Sequence, residues 1–127
     1  MQKVISEHDI QVSLMEWAFW MKIKYPELEY LFAIPNGGAR HVVTGLKLKN
    51  EGVKRGVPDL FLPVARGKYH GLFVELKRPG GKLSKQQEEW IKNLSYLGYG
   101  VVVCFSLEEA INAIEDYLKN NFDKMWI

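Results

Sequence analysis

Cysteine is almost absent from this sequence. Its 127 residues include one cysteine, Cys104, which lies in the apolar run "VVVCF". A single cysteine excludes an intrachain disulfide framework and a cysteine-rich metal cluster, and its apolar neighbours indicate a small buried side chain rather than a nucleophile. The stability of the chain must therefore come from an ordinary hydrophobic core, for which this length suffices.

Long apolar runs are also missing. No stretch approaches the roughly 18 to 20 residues of a membrane-spanning helix, and the N-terminal "MQKVISEHDIQ" has no hydrophobic targeting core. Internal repeats and low-complexity segments are absent as well. We expect a cytoplasmic protein with no membrane partner and no small-molecule cofactor, folded as a single domain over residues 1–127.

Acidic residues are scarce in the middle of the chain. From Arg40 to Lys85 there are eleven basic side chains against three acidic ones, a net charge of +8 in a chain whose total is +2, so the flanks carry −6. Segregation of this kind is typical of proteins that bind phosphate backbones, although a solvated lysine-rich surface produces the same pattern. The three acids are Glu51, Asp59 and Glu75.

The spacing of apolar and turn residues predicts the order helix, strand, helix, two strands, helix, strand, helix. The predicted elements are a helix from Ser6 to about Lys24, a strand over Tyr30–Ile34, a helix from about Arg40 to Gly52, strands over Pro58–Val64 and Tyr69–Lys77, a helix from Ser84 to Gly98, a strand at "GVVVCF" and a last helix opened by Ser106. The two central strands are most simply an antiparallel hairpin, and the apolar "GVVVCF" favours parallel pairing.

Two sequence patterns add detail to the predicted helices. Capping boxes are predicted at Ser6 with Asp9, at Ser84 with Gln87 and at Ser106 with Glu109. Trp17, Trp20 and Trp90 fall on apolar helix faces. We therefore expect these three tryptophans to lie in the core.

Three charged residues interrupt the predicted hairpin. Glu75 and Lys77 are two apart and share one face of a strand, and pairing of the two strands places Asp59 opposite the end that carries them. Two carboxylate oxygen donors suit Mg²⁺ or Mn²⁺, whereas no His or Cys occurs at a spacing that suits zinc. A divalent ion with a neighbouring lysine provides the parts for phosphodiester hydrolysis, although each residue alone also fits a turn cap or a surface ion pair.

The same residues carry a family resemblance. Pro58-Asp59 followed by Glu75-Leu76-Lys77 resembles the PD-(D/E)xK motif of the restriction-endonuclease-like nucleases. The chain is similar to one branch, the VRR-NUC (virus-type replication-repair nuclease) domain, in five blocks that occur in order: "IPNGGAR" at Ile34, "GVKRGVPDL" at Gly52, "GLFVELK" at Gly71, "SKQQEEW" at Ser84 and "LGYGVVV" at Leu97.

This resemblance implies an α/β fold with a restriction-endonuclease-like central mixed β-sheet flanked by α-helices. It implies that Asp59 and Glu75 bind the metal together with the main-chain carbonyl of Leu76, and that Lys77 is the catalytic lysine. Gln87 matches the glutamine that the family places on the helix after the motif and is a candidate catalytic residue, although its capping box needs no catalysis. Glu7 matches an acid on the first helix and is a further candidate ligand, with Glu16 a weaker competitor.

The resemblance also implies DNA as the partner. Compact members are similar to Holliday-junction resolvases, which act as homodimers, and a phage or bacterial host is suggested. A set of candidate phosphate contacts surrounds the motif: Asn36, Gly37, Gly38, Arg40, His41, Lys54 and Arg55. We expect a metal-dependent endonuclease that prefers branched DNA; the alternatives are a flap-type nuclease or a non-catalytic DNA-binding module on the same fold, and a sequence-specific restriction enzyme is disfavoured.

Overall fold

Four strands form one mixed sheet in the order β1-β2-β3-β4. The computed structural model describes residues 4–35 and 42–122, without the side chains of 42–45. The strands are β1 (Phe32–Ala33), β2 (Leu60–Leu62), β3 (Leu72–Leu76) and β4 (Gly100–Cys104). β2 is antiparallel to β1 and β3, and β4 is parallel to β3. The predicted hairpin and the predicted parallel pairing are both confirmed.

Helices precede, separate and follow these strands. They are α1 (Glu7–Met21), α2 (Val42–Asn50), α3 (Lys85–Tyr96) and α4 (Leu107–Leu118), with a short 3-10 helix over Pro26–Tyr30. The predicted element order is confirmed, with the 3-10 helix as an addition. Within the described residues, no helix combines the length and the apolarity needed to cross a membrane.

The 3-10 helix corrects one predicted boundary. α1 ends at Met21, and Pro26 opens a 3-10 helix that ends at Tyr30, so the predicted strand from Tyr30 to Ile34 shrinks to Phe32–Ala33. Proline is well placed at the first position of a helix because its missing N–H has no partner there in any case. β2 covers only Leu60–Leu62 of the predicted strand Pro58–Val64, and it ends directly before Pro63.

Two of the three predicted capping boxes form as expected. The hydroxyls of Ser6 and Ser84 accept hydrogen bonds from the main chain of Asp9 and Gln87, whose side chains accept from the serine N–H groups in return. At α4 the prediction is half right. The Ser106 hydroxyl accepts from the Glu109 N–H, but the Glu109 carboxylate accepts from Phe105 instead, at 3.3 Å.

Alternating side chains of β3 enter two separate cores. Leu72, Val74 and Leu76 pack into the larger core, which also contains buried residues of α1 and α4. Phe73 points the other way and packs against the smaller core that α3 closes with Ile91. Because strand residues alternate between faces, Glu75 lies on the α3 side of the sheet, continuing the row that Phe73 begins.

The tryptophans are only partly where the sequence predicted them. Trp17 packs against the larger core and Trp90 against the smaller one. Trp20 is 73% exposed, so its assignment to the core is wrong. Cys104 is fully buried, which confirms the predicted burial, and burial raises the pKa of its thiol to about 12.

Candidate active site

Asp59 is held at the entry to β2 by contacts on both sides. Its carboxylate Oδ2 accepts a hydrogen bond from the Leu76 N–H at 2.7 Å, and its main-chain carbonyl accepts from the Ile34 N–H at 2.8 Å. The register of the hairpin, which pairs Leu60 with Val74, places Asp59 beside the last residues of β3. The predicted approach of Asp59 to the end of the second hairpin strand is confirmed.

Glu75 is a carboxyl group in the interior. Its side chain is 1% exposed, and in the described part of the chain no group donates a hydrogen bond to its Oε1. The other oxygen, Oε2, accepts one long hydrogen bond from the Gln87 side-chain amide at 3.4 Å. A buried carboxylate with so few donors is costly, because desolvation is not offset by hydrogen bonds.

The two carboxyl groups shift each other's protonation. Burial, followed by the negative charge of Asp59, raises the pKa of Glu75 to about 9. Burial also raises the pKa of Asp59, although the hydrogen bond from the Leu76 N–H opposes that rise. Both shifts favour a proton shared by the pair when no metal is bound.

Lys77 follows β3 directly and is 8% exposed. Its N–H donates to the carbonyl of Cys104 at 2.8 Å, which extends the pairing of β3 with β4 by one residue. Its Nζ lies 3.4 Å from Gln87 Oε1 and 3.6 Å from Glu7 Oε2. The ammonium group therefore lies between α1 and α3, on the same face of the sheet as Glu75.

Gln87 belongs both to a helix cap and to the site. Its Oε1 accepts from the Ser84 N–H at 2.8 Å as part of the capping box, and it also accepts from Lys77. Its side-chain amide donates to Glu75. The two interpretations of Gln87 left open by the sequence are thus compatible, because one side chain makes both sets of contacts.

Glu7 reaches the site from the first turn of α1. Its Oε2 is 3.6 Å from Lys77 Nζ and accepts a long hydrogen bond from the Arg78 N–H at 3.4 Å. The sequence offered no indication of these two partners, because they lie some seventy positions away in the chain and depend on how α1 packs. Glu16 lies on the outer face of α1 and is exposed.

The donor set suits a hard divalent cation. Among the described residues, no three His, Cys, Asp or Glu side chains are grouped as metal ligands. The carboxyl groups of Asp59 and Glu75 are the pair of oxygen donors available to a cation. A cation that displaces the shared proton would satisfy the buried Glu75 oxygen that lacks a donor. Mg²⁺ and Mn²⁺ commonly bind through one or two carboxylates and complete their coordination with water and carbonyl oxygens.

The basic residues divide between two ends of the sheet. Lys54 and Arg55 are exposed in the loop that leads to Asp59. Arg66 lies in the turn between β2 and β3, at the opposite end, where it pairs with Glu27 and donates to the Leu118 carbonyl. The remaining candidate DNA contacts lie outside the described residues: Asn36, Gly37, Gly38, Arg40 and His41.

Comparison with known proteins gives a consistent result. The sequence model of the VRR-NUC domain matches residues 5–107. A solved structure described as a VRR_NUC domain protein is 34% identical, with a TM-score of 0.78 over 98% of both chains. No curated protein sequence matches this chain.

Proposed function

Because this chain belongs to the VRR-NUC domain family, a family of nucleases, we propose that it is a metal-dependent endonuclease that hydrolyses phosphodiester bonds in DNA. The observation that carries the proposal is the meeting of Asp59, Glu75, Lys77 and Gln87 at one end of the β2–β3 hairpin. Buried charges and polar groups are costly unless a partner offsets them, and a cluster of them in a core is characteristic of a functional site.

Asp59 and Glu75 would hold the cation, Mg²⁺ or Mn²⁺, and the main-chain carbonyl of Leu76 is proposed as a third oxygen ligand. When bound, such an ion supplies Lewis-acid stabilisation of phosphate oxygens and makes water more acidic. Support for this assignment comes from the burial of Glu75, whose Oε1 has no hydrogen-bond donor among the described residues. Asp59 stays oriented by its hydrogen bond from Leu76.

Lys77 would act on the attacking water and on the scissile phosphate. Its ammonium group is nearly excluded from solvent, where an electrostatic contact with a phosphate oxygen is stronger than in bulk water. Gln87 and Glu7 lie close enough to Nζ to orient it from two helices. In this proposal they are positioning residues, and Glu7 acts through Lys77 rather than as a metal ligand.

DNA would be held mainly by its phosphates. Lys54 and Arg55 are exposed and precede Asp59 by a few residues, which supports a contact beside the cut. Arg40 and His41, with the amides of Asn36, Gly37 and Gly38, remain proposed contacts. We propose branched DNA as the preferred substrate and a homodimer as the active form, on the basis of the resemblance to compact junction-resolving nucleases.

A cleavage assay tests this function. Labelled four-way junction, flap and linear duplex DNA are incubated with the native chain in Mg²⁺, Mn²⁺ or EDTA, beside Asp59→Asn and Lys77→Ala. We expect metal-dependent cleavage that falls by at least about 100-fold in both variants while DNA binding persists. Paired nicks in the junction support resolution by a dimer, and preferential cutting of the flap favours the flap-nuclease alternative.

Matched variants separate catalysis from helix capping. Ser84→Ala and Gln87→Ala both remove the capping box, at a cost of about 1 kcal/mol each. Only Gln87→Ala also removes the contacts to Glu75 and Lys77, so cleavage should fall further in that variant. DNA binding without cleavage in any metal would overturn the nuclease proposal in favour of a non-catalytic binding module.

A further inference from the structure

Three phenylalanines form a row across the sheet. Phe32 of β1 pairs with Phe61 of β2, and Phe61 pairs with Phe73 of β3. Directly paired residues of neighbouring strands point to the same face, so the three side chains lie side by side. Phe61 stacks on Phe73 with the ring centroids 4.3 Å apart, and it meets Phe32 edge to face at 5.9 Å. We call these three residues the phenylalanine row.

The phenylalanine row is covered at one end and open at the other. Phe73 packs against the smaller core, which α3 closes where it lies on β4. Phe61 is partly exposed, and in the described part of the chain it is not among the side chains packed against the buried residues of either core. Phe32 lies on the edge strand and is 48% exposed. The row therefore leads from the interior to an accessible ring at the edge of the sheet.

The middle ring of the row is held against the main chain. A Cβ at Gly71 would lie 2.8 Å from Cε1 and 2.9 Å from Cζ of Phe61. Glycine at this position therefore makes room for the ring, which contacts the main chain on one side and the Phe73 ring on another. Phe32 in turn rests against this fixed ring. A ligand that stacks on Phe32 would need to order few side chains, which lowers the entropic cost of binding.

The phenylalanine row borders the two carboxyl groups of the candidate active site. Asp59 comes two residues before Phe61 on the chain, and Glu75 comes two residues after Phe73. Because residues two apart on a strand share a face, the carboxyl pair occupies the next row of the same face. Phe32 is a diagonal neighbour of Asp59, a relation that places Cα atoms roughly 7 to 8 Å apart. This distance is about two 3.4 Å steps along one strand of DNA.

We propose that the phenylalanine row is a stacking surface for an unpaired base of the DNA substrate, and that this base lies on the ring of Phe32. The inference rests on the proposed function and narrows its substrate class to DNA in which a base beside the cut is unpaired or unstacked, as at a branch point. A base within a duplex is enclosed by its neighbours and must leave the stack before a protein side chain can reach its face. Since every base has an aromatic face, the contact would be independent of sequence.

An unpaired nucleotide fits this position better than a protein partner does. The row ends beside Asp59 and Glu75, so a protein bound on it would lie against the carboxyl pair and obstruct the substrate there. A nucleotide occupies both places, with its base on Phe32 and a neighbouring phosphate at the carboxyl pair. Lys54 and Arg55, exposed on the loop that leads to Asp59, supply positive charge for the phosphates on either side.

DNA binding in EDTA tests the inference without cleavage. Four-way junctions carry a single abasic residue at successive positions beside the branch point, and affinities are measured by fluorescence anisotropy for the native chain, Phe32→Leu and Phe19→Leu. We expect one abasic position to weaken native binding on the order of tenfold, the effect of losing one stacked base. Phe32→Leu should bind the intact junction more weakly by a similar factor and should no longer depend on that base. Phe19→Leu is the matched control, an exposed ring on α1, which packs on the opposite face of the sheet, and it should behave as the native chain.

A second variant separates loss of the ring from loss of folding. Phe32→Trp keeps an aromatic ring and should keep the dependence on the base, and neither Phe32 variant should change the affinity for linear duplex. The inference is overturned by native binding that no abasic position weakens, or by a Phe32→Leu variant that retains the dependence, even where the cleavage assay succeeds. A changed solution mass of Phe32→Leu with an unchanged base dependence would make the row a protein contact and would also overturn it. Base-dependent binding without cleavage in any metal would support the stacking surface while the nuclease proposal fails.

Discussion

At the scale of single residues, the burial of the Glu75 carboxyl group is unfavourable for the stability of the fold. Its carboxyl group is buried beside Asp59. Among the described residues, the Gln87 side-chain amide donates one long hydrogen bond to it. An apolar side chain at this position would stabilise the fold more, as Phe73 does two residues earlier on the same face of the sheet. Packing alone disfavours this residue, and a buried carboxyl group of this kind is characteristic of a candidate functional site.

Without bound metal, the free energy of unfolding should fall as pH rises, because Glu75 must lose its proton inside the fold. Its pKa is about 9 in the fold and near the ordinary 4.5 in the unfolded chain, so the folded state binds more protons between those values. This contribution is fully present below about pH 4.5 and is lost as pH rises through about 9. Chemical unfolding in EDTA from about pH 5 to pH 9 should show a decrease in the free energy of unfolding on the order of a few kcal/mol.

Two variants make the pH prediction specific to Glu75. Glu75→Gln should flatten the pH dependence and should be more stable than the native chain at alkaline pH in EDTA. Glu108→Gln, an exposed position on α4, should keep the native profile. Added Mg²⁺ or Mn²⁺ should stabilise the native chain most at high pH, where no proton needs displacing, and should have much less effect on Glu75→Gln. A native stability that does not change with pH in EDTA would contradict the assignment.

At the scale of elements, the site depends on the close approach of the loop before β2 to the start of α3. Gly56 has a φ of +90°, and a Cβ at this position would lie 2.8 Å from the carbonyl carbon of Gln86. The neighbour is helix main chain rather than a flexible side chain. Any side chain at position 56 would therefore push α3 away and move Gln87 with it.

Substitution of Gly56 should affect stability and cleavage more than substitution of Gly52. Gly52 has a similar φ of +99°, but a Cβ there meets no described atom within 4 Å. Gly52→Ala should cost about 1 kcal/mol from backbone strain alone, and Gly56→Ala about 2 to 4 kcal/mol because overpacking is added. Urea unfolding and cleavage rates measure both effects. Equal destabilisation in the two variants would show that the packing of Gly56 against α3 does not position the site.

Most elements could be predicted from local patterns. The alternation in β3 and the apolar run of β4 predicted a hairpin followed by a parallel strand, and the register then brought Asp59 to Glu75. The features that local patterns could not predict depend on contacts between residues far apart in the sequence. The exposure of Trp20, the diversion of Glu109 to Phe105 and the pairing of Glu7 with Lys77 each depend on what packs nearby in space.

At the scale of the whole molecule, folding redistributes the charge that the sequence concentrates between residues 40 and 85. The β2–β3 hairpin carries its turn to one end of the sheet and Asp59, Glu75 and Lys77 to the other. Arg66 at the turn is occupied by Glu27 and the Leu118 carbonyl. Lys54 and Arg55 remain exposed on the loop that enters the site. The basic residues between positions 40 and 85 therefore do not form one continuous surface. We expect the DNA-binding surface to be confined to the end of the sheet that holds Asp59 and Glu75.

The salt dependence of DNA binding should reveal that confinement. Removing one side chain that binds a phosphate should reduce the slope of log affinity against log salt by about 1, because one fewer counterion is released. The double variant Lys54→Ala with Arg55→Ala should therefore lower the slope by about 2, measured by fluorescence anisotropy on junction DNA in EDTA. Lys68→Ala, an exposed lysine in the distant turn, is the matched control and should leave the slope unchanged. If Lys68→Ala lowered the slope as much as each loop substitution does, DNA would contact both ends of the sheet. The position of the bound DNA would then depend on positive charge alone and not on proximity to Asp59 and Glu75.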